Sequence, residues 1–99
     1  MNDLASAYSR LARHHEAEQL QFQALNARKR VLGEEHPDTL VSMNDLASSY
    51  SYLGRWDEAE ELFNKAISIA ERTLGDQHPR TQKFHKDYED MLARQPAKL

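Results

Sequence analysis

MNDLASSYSYLGRWDEAEELFNKAISIAERTLGDQHPRTQKF, residues 43–84, decides the fold. Residues 1–42, MNDLASAYSRLARHHEAEQLQFQALNARKRVLGEEHPDTLVS, match it at 21 of 42 positions. Repetition with a period between about 20 and 50 residues marks a stack of supersecondary units, none of which buries its apolar face alone. In the second unit Leu40, Met43, Leu46, Ala47, Tyr50 and Leu53 recur at spacings of three and four, the period of one helix face. Gly54, Arg55 and Trp56 interrupt the pattern, and Asp57 with Glu60 then forms a capping-box pair suited to a helix start. Ala59, Leu62, Phe63, Ala66, Ile67, Ala70 and Leu74 carry the period to Gly75, a residue able to end a helix in the left-handed conformation.

Gly33 with Pro37 and Gly75 with Pro79 punctuate both units alike, and proline in a first helical turn gives up no hydrogen bond. His36 and His78 stand just before those prolines, where a backbone or capping interaction accounts for both. Small residues (Ala5, Ala17, Ala24, Ala47, Ala59, Ala66) recur where neighbouring helices must approach closely. The closing segment is expected to be a cap in which Phe84, Tyr88, Met91 and Leu92 cover the preceding hairpin. Lys83, Lys86, Asp87, Glu89 and Asp90 then face water. The expected fold is all-α: a single domain over 1–94 with repeat one at 1–42, repeat two at 43–84 and a capping helix over about 80–94. That is a superhelix of two helical hairpins plus the cap, with residues 95–99 as a frayed tail.

Composition excludes several functions. With 13 basic residues among 16 acidic ones and a net charge of -3, the chain offers no basic stripe for a nucleic-acid backbone. No apolar run approaches the ~20 residues that span a bilayer, so no membrane role is expected and an intracellular, cytoplasmic setting is. Cysteine is absent, which removes disulfides and thiolate chemistry. His14 and Glu18 are four apart on a helix face, but Gln19 occupies the place of the second histidine in the zinc-protease pattern, and no third ligand converges. His14 and His15 are read as loop residues. All three glycines are turn punctuation, and no phosphate loop or nucleophile elbow occurs. Neither a metal nor a cofactor is expected, nor an enzyme.

The order of bulky residue, Leu, small residue, aromatic, then Ala and Phe is filled by Met43, Leu46, Ala47, Tyr50, Ala59 and Phe63. Unit one follows it with Met1, Leu4, Ala5, Tyr8 and Ala17, but has Gln21 in place of Phe. This resembles the tetratricopeptide repeat. The 42-residue length, the NDLA opening, the GRWDEAEELF centre and the LGDQHP ending are similar to the repeats of kinesin light chain, over residues 1 to about 84. The resemblance implies a protein-binding scaffold whose first helices line a concave face. It places Asn2, Asp3, Ser6 and Arg10, then Asn44, Asp45, Ser48 and Tyr52, then Lys86, Asp87 and Asp90 on that face, with Lys83 and Arg94 beside them. Where the family commonly carries Asn in the second position of its NNLA opening, this chain has Asp3, Asp45 and Asp87. Such an acidic ladder suits a peptide with basic side chains, with Asn2 and Asn44 supplying amide hydrogen bonds.

Two other functions compete with binding. One is an enzyme with an unrecognised site. The other is a self-assembling module, a homo-oligomer formed through exposed apolar residues of the first hairpin, among them Phe22 on a stripe with Leu25 and Leu32. The abrupt start at Met1 suggests a fragment of a longer array.

Overall fold

The computed structural model describes residues 3–96, and side chains from residue 13 onward. Four helices follow one another: α1 Asp3–Leu32, α2 Pro37–Tyr52, α3 Trp56–Thr73 and α4 Pro79–Arg94. Among the described residues there is no strand. The helices pack in sequence, α1 on α2, α2 on α3 and α3 on α4, and α4 also reaches back to α2. This is the all-α hairpin stack that the repeat predicts.

The turns form for the reasons the residues suggest. Gly33, Gly54 and Gly75 have φ of 94°, 79° and 93°, the left-handed region that L side chains avoid. His36 and His78 are the residues before α2 and α4, and each Nδ1 accepts a 3.1 Å hydrogen bond from a backbone N–H, that of Asp38 or of Arg80. Each histidine thus satisfies an amide that the first turn leaves free. Thr39 Oγ1 donates to the Gly33 carbonyl at 2.8 Å and tightens the α1–α2 turn.

The core is one cluster. Leu40, Met43, Leu46 and Ala47 of α2 meet Ala59, Phe63, Ala66 and Ala70 of α3, all at 0–1% exposure, and Phe84 and Met91 of α4 close the other side. Tyr88 packs its ring 5.8 Å from that of Phe63. α3 begins one residue before the expected capping box: Arg55 is its N-cap and provides no side-chain cap bond. Arg55 instead makes two bonds to Glu58, one of 2.9 Å and one of 2.6 Å, reaches Glu18 of α1 at 3.2 Å, and lies 4.3 Å over the Tyr50 ring. Leu92, expected to cover the hairpin, is 44% exposed on the outer side of α4.

The first unit departs from its own sequence pattern. Residues 3–32 form one uninterrupted helix rather than a hairpin, so His14 and His15 are helical and not in a loop. Repeat two turns at Gly54, and the equivalent residue in repeat one is Ala12. Alanine is the best helix former and glycine among the worst, a difference of about 1 kcal/mol. His15, moreover, replaces Asp57 at the capping position. With neither breaker nor cap, the helix runs through.

Candidate functional site

An open groove of about 540 Å³ lies between α2 and α4. Asp45, Ser48 and Tyr52 line it from α2, spaced three and four apart on one face, while Lys83, Asp87, Asp90, Ala93 and Arg94 line it from α4. Both helices occupy the first-helix position of their units, the helices on which the resemblance expects a ligand face.

The carboxylates in it differ. Asp87 is engaged twice: its Oδ2 accepts 2.7 Å from Asn44 Nδ2 and 3.0 Å from Lys83 Nζ. Asp45 and Asp90 have no hydrogen bond or ion pair among the described residues. Partial burial raises the Asp45 carboxyl above its ordinary 3.8; Lys83 opposes the shift, Asp87 adds to it and Arg28 opposes it weakly. The groove therefore holds two carboxylates without a hydrogen-bonded or ion-paired partner among the described residues, one of them partly desolvated.

Its lower end is built around Tyr52. The His14 ring stacks on Tyr52 at 4.6 Å with 9° between planes, and the Arg94 guanidinium lies 4.2 Å from the ring centre. Arg94 also donates 2.8 Å to Ser51 Oγ, which donates 2.7 Å to the Ser48 carbonyl. A guanidinium held against an aromatic ring and a hydroxyl is positioned for an anion or a peptide carbonyl, and the edge of the Tyr52 ring, whose faces His14 and Arg94 cover, borders it.

Of the residues expected on the binding face, Asp45, Ser48, Tyr52, Asp87 and Asp90 are brought together here. Asn44 is not on the surface. It is 2% exposed and ties α2 to α4, with its Oδ1 buried and unpartnered among the described residues. Asp87, expected to face water, is half-buried for the same reason. Lys86 is exposed outside the groove lining. Asn2, Asp3, Ser6 and Arg10 lie outside the residues whose side chains are described, and so does the upper rung of the acidic ladder. The pattern missed Ala93, a small residue with no polar signal, and His14, whose partner Tyr52 is 38 positions away.

The family model for the tetratricopeptide repeat matches residues 1–72 and, a second time, residues 45–81. No curated protein matches the chain. Among the described residues no helix is long and apolar enough to cross a membrane.

Proposed function

Because the chain belongs to the tetratricopeptide repeat family, whose repeats mediate protein–protein interaction, we propose that it is a non-catalytic binding module receiving an extended peptide with basic side chains between α2 and α4. A fold alone does not assign a ligand, so the reading rests on the site. The observation that carries it is the pair Asp45 and Asp90, two groove carboxylates with no hydrogen bond or ion pair among the described residues, while the nearby Lys83 is bonded to Asp87. A lysine or arginine entering the groove replaces lost hydration with a charge-assisted contact at little reorganisation. Ser48 and Arg94 serve the peptide backbone, and the edge of the Tyr52 ring borders its aliphatic stem. We place the chain with the 42-residue kinesin light chain type on repeat length and the NDLA and LGDQHP motifs, and the aspartates set its ligand preference apart from an acidic one.

Calorimetric titration with a lysine-rich and a glutamate-rich extended peptide tests this. The basic peptide should bind and the acidic one should not; Asp45→Lys should abolish the difference. Equal and negligible binding of both sinks the proposal. Self-assembly is the second reading, favoured by Leu20 and Val31 of α1, which are 67% and 77% exposed.

A further inference from the structure

We infer that two copies of this chain exchange their N-terminal segments, so that residues 1–12 of each pack against residues 12–24 of the other and rebuild in trans the hairpin that the straight α1 does not form. The inference deepens the self-assembly reading and is independent of the peptide groove.

The seat is visible by comparison with α3. In α3, Phe63 meets Tyr88 of α4, while the row Ala59, Leu62, Ala66 and Ile69 has its two alanines at 0% and Ile69 at 7% exposure, with Leu62 lining one pocket with Leu46 and Tyr50 of α2. The repeat places Ala17, Leu20, Ala24 and Ala27 at the same positions of α1. There Leu20 is 67% exposed and Ala24 is exposed. α1 packs on α2 through its other flank, where Leu25 is 3% exposed, Gln21 accepts 2.6 Å from Ser49 Oγ, and Arg28 donates 2.8 Å to Ser42 Oγ. The open row therefore matches in sequence the row that α3 buries, and nothing among the described residues covers it.

The occupant is equally defined. Residues 1–12 are identical to 43–54 at nine of twelve positions, and Leu4, Ala5 and Tyr8 stand where Leu46, Ala47 and Tyr50 are buried against α3. A segment with that stripe fits a row of the Ala17, Leu20, Ala24 kind. It cannot reach the row of its own helix, because α1 is continuous from Asp3 to Leu32. Two antiparallel α1 helices solve the problem for both copies at once, with a two-fold axis near Ala12 and each segment lying as a first helix lies on a second. The contact formed is of the kind that α2 already makes with α3 within each chain, so no new mode of packing is required. Phe22, by contrast, is turned toward Leu62 and Lys65 of α3 and takes no part in the seat.

Sedimentation equilibrium over concentrations up to about 1 mM tests the inference. The wild-type chain should approach twice its 11.5 kDa mass. Leu20→Asp, at a position exposed in the single chain, should leave the helical circular dichroism intact while raising the dissociation constant at least about tenfold, since it places a charge in an apolar seat. Leu92→Asp on α4 should leave association unchanged. Ala12→Gly with His15→Asp, which installs the turn residues of repeat two, should close the hairpin within one chain and yield monomers. A wild-type chain that stays monomeric overturns the inference. So does a dimer indifferent to Leu20→Asp or to the restored turn, or one dispersed by Leu92→Asp instead.

Discussion

Asn44 and Asp87, 43 positions apart, join α2 to α4 by a 2.7 Å hydrogen bond from Nδ2 to Oδ2, and the amide that donates it is 2% exposed. A bond to a charged acceptor contributes about 1.5–3 kcal/mol when its donor is buried. Asn44→Ala should lower the unfolding free energy by about 2 kcal/mol, seen as a fall in urea midpoint at unchanged slope. Asn44→Asp should cost more, because it confronts Asp87 with a second carboxylate in a water-poor position. Equal stabilities of wild type and Asn44→Ala would mean that the pair contributes nothing to holding α4 in place.

Gly54 and its counterpart Ala12 make the second prediction. Gly54 has φ of 79°, and a methyl group added there meets no atom within 4 Å, so the cost of Gly54→Ala is purely conformational. Left-handed backbone costs an L residue roughly 1–2 kcal/mol. Chemical denaturation should show a loss of that size, without the larger loss that a core clash brings. The same substitution also raises the tendency of α2 and α3 to fuse, which the buried α2–α3 contact opposes.

Most of the fold was legible because its signals are local. Gly33, Gly75, Pro37 and Pro79 mark boundaries within a few residues of where they act, and Leu46, Ala47, Phe63 and Ala66 declare the core through helical spacing. The straight first helix was legible in principle at Ala12, where the repeat loses its glycine, but half-identity with repeat two outweighed that one position. The site was harder to read, because its pairings cross between helices. Asp87 reads as a solvated charge until Asn44 is placed beside it, and His14 reads as a loop residue until Tyr52 is brought beneath its ring. No periodicity encodes which residue of α4 faces which residue of α2.

Asp45 predicts a pH dependence of both stability and binding. Burial raises its folded carboxyl above 3.8, so the fold prefers the protonated form. Its contribution to stability is then fully present below pH 3.8 and is lost as pH rises through the raised folded value. Asp45→Asn should accordingly stabilise the protein at pH 7 and do so less as pH falls. Glu58 runs the other way. Its hydrogen bonds from Arg55 hold it below 4.5, giving stability that is present above pH 4.5 and lost as pH falls through the lowered value. A basic peptide in the groove favours ionised Asp45, so its affinity should weaken as the pH falls from 7 toward the folded Asp45 value, with proton release on binding in acid. A series of titrations from pH 7 downward, over the range in which the fold persists, decides the matter, and an affinity that rises on acidification would separate Asp45 from the ligand.

Arg55 connects three parts of the molecule, and its several contacts can be told apart. It closes the α2–α3 turn onto Glu58 (39% and 51% side-chain exposure), reaches Glu18 of α1 (15%), and covers the Tyr50 ring at 4.3 Å. The Glu58 pair is largely solvated and should contribute less than about 1 kcal/mol, falling with salt. The Glu18 pair is better shielded and is the only ion pair, among the described residues, between α1 and the start of α3, so its coupling should survive salt better. In a double-mutant cycle, Glu18→Gln with Arg55→Met should retain most of its coupling energy at 1 M salt, whereas Glu58→Gln with Arg55→Met should lose it. Arg55→Met keeps an apolar stem over Tyr50, so the cycle reads the charges rather than the packing. If both couplings vanish together at high salt, Glu18 is no less solvated than Glu58, and α1 is held to the repeat by Leu25 and the α2 contacts alone.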